Sequence, residues 1–151
     1  MSGAVSNEIS KDDPYGLERF VVAQDHGGTY GRAIEELRRG RKSSHWMWFV
    51  FPQIAGLGMS DMSRRFAISS LQESRAYLQH AILGPRLIEC ARAVIDLQGE
   101  STEEILGGID AQKLRSSMTL FMRAAPDEPV FAQVLELFYD NQPDPLTDEL
   151  I

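Results

Sequence analysis

The run Leu83-Gly84-Pro85-Arg86-Leu87-Ile88-Glu89-Cys90-Ala91-Arg92-Ala93-Val94-Ile95-Asp96-Leu97-Gln98-Gly99 carries the pattern that sets the fold class. Leu83, Leu87, Ala91, Val94 and Leu97 recur every three or four residues, which puts them on one face of a helix. Proline suits a helix's first turn and glycine the position just past its end, so Gly84-Pro85 marks a start and Gly99 a stop. The same spacing recurs on both sides. Upstream, Leu17, Phe20, Val21 and Gln24 predict a first helix, opened by Asp13-Pro14 and closed by Gly27-Gly28. Tyr30, Ala33, Ile34 and Leu37 predict a second, stopped at Gly40. Downstream, Ser101-Thr102-Glu103-Glu104 has the capping-box pattern of a short helix ending at Gly107-Gly108. Asp110 reads as the cap of a helix striped by Leu114, Ser117, Met118 and Phe121. Asp127 reads as the cap of the next, with Phe131, Val134, Leu135 and Phe138. No strand alternation stands out beyond Trp46–Phe51, a run too short for periodicity to separate helix from strand. The expectation is a single all-α domain over residues 14–151, with about seven helices, behind a disordered leader over residues 1–13.

Composition narrows the function classes. A chain of 151 residues fits one domain with a real core. The lone Cys90 excludes an internal disulfide and does not make a zinc site by itself, which fits a reducing cytoplasm. No apolar stretch approaches the ~20 residues of a membrane span, and the first residues lack a signal peptide's apolar core. The net charge of −7 is concentrated at the end: from Pro126 onward there are seven acidic residues and no Lys or Arg. An acidic protein of this kind is a poor partner for nucleic acid or an anionic membrane surface. Arg32, Arg38, Arg39, Arg41 and Lys42 form one local basic cluster, read as a solvated helix end or as a cationic rim.

That cluster leads into Lys42-Ser43-Ser44-His45-Trp46-Met47-Trp48-Phe49-Val50-Phe51-Pro52-Gln53, which holds both tryptophans, and then into Gly56-Leu57-Gly58. Apolar rings beside convergent polar groups are what ligand pockets combine. Ser43 or Ser44 reads as a cap of a short helix here. Gly56, Gly58 and a helix opened by Ser60-Asp61 have the logic of an anion-binding turn, although a lone Gly-x-Gly is more often a simple turn. Lys113, Ser116 and Ser117 fall at i, i+3 and i+4 and share one helical surface. The bland reading of Ser117 is a hydroxyl bonded back to the carbonyl one turn earlier. His45 is the best acid–base residue by type, but adjacency to Ser44 is not a Ser–His pair, and no Gly-x-Ser-x-Gly elbow is present. His26, His45 and His80 lack metal-ligand spacing, so neither a metal nor a cofactor is expected. Glu35-Glu36 reads as a solvated helix face.

Taken together, Ser44 to Phe49, Phe51-Pro52-Gln53, Gly56-Leu57-Gly58 and Lys113-Leu114-Arg115-Ser116-Ser117-Met118-Thr119-Leu120-Phe121 resemble domain-of-unknown-function family 1810, sometimes labelled calpastatin-like. The resemblance extends from Leu17-Glu18-Arg19-Phe20 to near Asp144 and Thr147. It implies a small, all-helical, mostly cytoplasmic, bacterial-type domain and no settled activity. A calpain inhibitor is not supported, because this chain reads as compact rather than as a disordered repeat.

Two readings of function follow. In the first, Lys42, Ser44, His45, Trp46, Trp48, Gln53, Gly56, Gly58, Lys113, Ser116 and Ser117 line a pocket for a small anionic or nucleotide-like molecule, with no reaction assigned. In the second, an exposed part of the aromatic block makes a protein interface or a homo-oligomer. The tail is expected to be ordered, with Asp144 capping a short turn, Leu150 and Ile151 packed on the body, and its carboxylates near Arg38, Arg39, Arg41 and Lys42.

Overall fold

The computed structural model describes residues 12–151, so most of the expected leader lies outside the described residues. Ten α-helices follow in order: α1 (Glu18–Asp25), α2 (Thr29–Arg39), α3 (Met47–Val50), α4 (Asp61–Arg65), α5 (Leu71–Gln79), α6 (Leu83–Ile95), α7 (Thr102–Leu106), α8 (Gly108–Ala124), α9 (Pro129–Phe138) and α10 (Pro145–Leu150). The described residues hold no strand, only isolated bridges such as Ile54 with Ile68. The all-α reading is correct. Helices outnumber the expected seven because the connections contain the one-turn pieces α3, α4, α7 and α10.

Helix α8 is the axis. It packs against α5, α7, α9 and α10, and residues 116–121 are buried without interruption. A helix surrounded on all sides loses its polar face, which is why its apolar stripe includes serines and a threonine. Helix α6 lies on α2, α5 and α9, and α1 lies on α2 and α3. Aromatic rings run through these contacts. Phe66 meets Phe20 at 5.6 Å, Phe20 meets Tyr77 edge-on at 5.1 Å, Tyr77 meets Phe121 at 5.3 Å, and Phe121 meets Phe131 at 5.8 Å. Each such pair adds ~0.5–1.5 kcal/mol beyond its buried area.

Local capping follows the sequence in part. The Asp13 carboxylate accepts the Leu17 and Glu18 N–H groups at the start of α1. Ser101 and Glu104 form the expected capping box on α7. Asp144 caps α10 by accepting the Thr147 N–H. Three expectations need correction. Asp110 is not a cap: α8 begins at Gly108, and Asp110 sits inside its first turn. Glu128, not Asp127, caps α9, one residue closer to Pro129. Neither Ser43 nor Ser44 caps α3: Trp46 stands at its N-cap with no side-chain cap bond, and the Ser44 hydroxyl is turned to Glu36.

The tail is ordered, but its carboxylates lie elsewhere than expected. Asp148 pairs with Arg123 at 2.9 Å, and Asp144 is buried among α8 side chains, so neither joins the cationic cluster. Leu150 packs on Gly56 yet stays half exposed, and Ile151 is exposed as well.

Candidate functional site

Glu36 determines how the aromatic segment enters the core. Its Oε1 accepts the Ser43 N–H at 2.8 Å, the Ser44 N–H at 3.1 Å and the Trp46 indole N–H at 2.9 Å. Its Oε2 accepts the Ser44 hydroxyl at 2.6 Å. Burial pushes this carboxyl up, but the hydrogen bonds from Ser44, Ser43 and Trp46 outweigh it and hold the pKa at about 2. Glu36 is therefore a buried anchor, not the solvated residue that the Glu35-Glu36 pair suggested.

Beyond this anchor the segment is mostly core. Trp46, Met47, Phe49, Val50 and Phe51 are buried, and only Trp48 remains half exposed. Trp46 is fully enclosed, so it lines no cavity. The exposed aromatic patch imagined for an interface is absent from this segment. Gln24 secures the far side, donating to the Phe49 carbonyl at 2.7 Å while accepting from Arg86 at 3.1 Å.

The two halves of the expected pocket do meet, at a different centre. A cavity of about 480 Å³ opens between the loop at Gln53, Leu57 and Gly58, the start of α8, and the turn into α10. Lys113 and Ser116 line it from α8, Gly108 and Ile109 from its first turn, and Asp144 and Leu146 from the turn. A narrower cavity of about 140 Å³ adjoins it, with Trp48, Gln53, Gly56, Gly58 and Arg64 on its walls. Gln53 and Gly58 belong to both. The loop can lie this close because Gly58 has no side chain: a Cβ there would fall 2.4 Å from the Ser63 hydroxyl of α4. Its backbone is tied down by Ala55 N–H donating to Ile68 and Ile68 N–H donating to Gln53.

Charge around the cleft is arranged through Asp110. Lys42 Nζ pairs with Asp110 Oδ2 at 2.9 Å, and Lys113 Nζ stands 3.9 Å from Oδ1. Each ammonium also sits over an indole, Lys42 over Trp46 at 5.1 Å and Lys113 over Trp48 at 5.2 Å. Lys42 is thus committed, and Lys113 keeps donors to spare. Helix α8 starts without a side-chain cap, so its first-turn N–H groups add positive potential at the same end.

The remaining residues fall outside the cleft. His45 is exposed and forms no hydrogen bond or ion pair among the described residues, and the Ser44 hydroxyl serves Glu36 rather than His45. Ser116, not Ser117, bonds back to the carbonyl one turn earlier, that of Gln112 at 3.2 Å. Ser117 is fully buried, and its hydroxyl has no hydrogen-bond partner among the described residues. Elsewhere, burial pushes the Cys90 thiol up to about 12, despite the hydrogen bond it makes with Tyr30. The described residues contain no cluster of three or more His, Cys, Asp or Glu suited to a metal ion.

Sequence reasoning missed Asp144 as a cleft wall. Its proline-flanked position, Pro143-Asp144-Pro145, signalled a cap and nothing more.

The chain belongs to the family described as "Protein of unknown function (DUF1810)", whose model matches residues 14–151. Among solved structures it is similar to the conserved hypothetical protein Rv1873 from Mycobacterium tuberculosis. The two are 52% identical, the match covers 92% of this chain and 98% of that one, and the TM-score is 0.89. No curated protein matches the chain. No helix among the described residues is long and apolar enough to cross a membrane.

Proposed function

We propose that this domain binds a small anionic molecule in the cleft between the Gln53–Gly58 loop and the start of α8. The single observation that carries the reading is the position of Lys113. Its ammonium is held over Trp48, is only loosely paired with Asp110, and lines a cavity of ligand size beside Gln53. Lys42 reaches the cleft's edge through Asp110, while Ser44, His45 and Trp46 stand outside it. The net charge of −7 argues against nucleic acid or an anionic membrane surface as partner, and the lone buried Cys90 suits a cytoplasmic setting. A thermal-shift screen of small anions beside their neutral analogues tests the proposal. Hits raise the melting temperature by mass action, and Lys113→Ala removes the effect. A screen in which no anion raises it, or in which Lys113→Ala leaves every hit intact, contradicts the proposal.

A second reading has one observation in its favour. Ile109 is 78% exposed and Leu146 58% exposed on the rim of this cleft, so the rim, and not the aromatic segment, would be the contact surface of a homo-oligomer. Light scattering across concentration separates the readings, since a protein that stays monomeric throughout has no such interface.

A further inference from the structure

The walls of the cleft restrict which anion fits. Most of their polar groups already satisfy one another. The Ser116 hydroxyl shares its one proton between the Gln112 carbonyl at 3.2 Å and Asp144 Oδ2 at 3.0 Å, and the same carboxylate oxygen accepts the Thr147 N–H at 3.1 Å and the Thr147 hydroxyl at 2.6 Å. Gln112 Nε2 lies 3.5 Å from Asp144 Oδ1. What remains is the Gln53 amide, whose side chain makes no hydrogen bond among the described residues, and the spare donors of Lys113.

The charges that line this cavity favour a monoanion. One ammonium faces the cleft, while the Asp144 carboxylate forms part of its wall and Asp110 lies beside Lys113. A triphosphate in this cavity would bring several charges to the one cation on its wall, flanked by two carboxylates, with Arg64 set apart in the adjoining smaller cavity. A nucleobase fares no better. Trp46 is enclosed in the core, and Trp48, one face of which Lys113 covers, lines the smaller cavity and not this one.

The other walls are aliphatic. Leu57, Ile109 and Leu146 line the cavity, and the last two are exposed large hydrophobic side chains. Covering them with an alkyl chain is favourable, whereas a phosphate or sugar would leave them wet.

Resting on the binding site proposed above, we infer that its ligand is an amphiphilic monoanion: one carboxylate carrying an aliphatic chain. The carboxylate meets Lys113 and the Gln53 amide, and the chain lies along Leu57, Ile109 and Leu146. No bond is made or broken.

Calorimetric titration with octanoate below its micellar range, alongside 1-octanol, inorganic phosphate and ATP, tests this. Octanoate is expected to bind saturably and at least tenfold more tightly than octanol, with phosphate and ATP inert. Lys113→Gln should erase the preference for octanoate over octanol, and Ile109→Asp should weaken octanoate at least tenfold. Ile109 is exposed, so its substitution leaves the fold intact, and matching circular dichroism confirms that. Phosphate or ATP binding that depends on Lys113, with octanoate inert, overturns the amphiphile while leaving the site in place. Octanoate binding that neither substitution changes is non-specific association and also overturns the inference. If none of the four binds, the amphiphile fails, and the broader anion screen decides separately whether the site fails with it.

Discussion

The indole N–H of Trp46 donates to the carboxylate of Glu36 at 2.9 Å, with both residues buried. This bond joins the last turns of α2 to the entry of the aromatic segment, and the Ser43 and Ser44 donors complete the grip on the same carboxylate. Lys42, immediately before this loop, is thereby set beside Asp110, which links it to the cleft.

Glu36 makes stability depend on acid pH. Its folded pKa of about 2 lies below the ordinary 4.5, so the stabilisation is complete above the unfolded value and is lost as pH falls from there toward 2. The shift corresponds to about 3 kcal/mol. Glu36→Gln should lower stability at pH 7 by a similar amount and flatten the decline between pH 4.5 and 2. Urea melts at pH 7, 4 and 3 read both effects, and parallel acid limbs in the two proteins would contradict the assignment.

Helices α5 and α6 approach each other through Gly84, where a Cβ would fall 2.0 Å from the Leu78 carbonyl oxygen. Backbone cannot yield as a side-chain tip does. Gly84→Ala should therefore cost about 3 kcal/mol or more, even though alanine is the better helix former. A melting temperature equal to the parent's would refute this packing.

Cys90 is buried, with its thiol pKa raised to about 12 chiefly by that burial. Since the thiolate is the reactive form, a disulfide reagent at pH 8 should label Cys90 only at the rate of unfolding. Rapid labelling of native protein would show that the pocket around Tyr30 and Cys90 opens.

Two acids hold the C-terminal segment with unequal strength. Asp144 is buried and accepts from Ser116 and Thr147, so Asp144→Ala leaves buried donors unpaired and should cost about 3 kcal/mol. The Asp148–Arg123 pair is exposed, and Arg123→Ala should cost no more than ~1 kcal/mol. Thermal melts of the two variants rank them, and equal losses would contradict the hierarchy.

The helices were legible wherever an apolar stripe faced one layer, as in Leu83, Leu87, Ala91 and Val94 of α6. Their ends were less so. Asp110 carried a cap's signature but sits in a first turn, where its carboxylate pairs two lysines. The sequence predicts Lys42, Ser44 and His45 set against Lys113, Ser116 and Ser117 around one pocket, whereas the structure gathers Gln53, Gly58, Lys113 and Ser116 around a cavity. The expected centre was misplaced, because large aromatic residues look alike in sequence whether they wall a cavity or fill a core. The anchoring role of Glu36 was invisible for a related reason, because nothing adjacent to it shows its partners, and Asp144 was legible as a cap through Thr147 but not as a partner of Ser116, which the fold brings in.

Whether the cleft is the binding site is tested most directly by amide chemical-shift mapping of the full chain titrated with octanoate. Saturable shifts are expected only at Gln53, Leu57, Gly58, Gly108, Ile109, Lys113 and Leu146, with their loss in Lys113→Gln. Shifts centred instead on Arg38, Glu89 and Arg92, which line a separate cavity of about 610 Å³, would contradict this, as would no shifts at all.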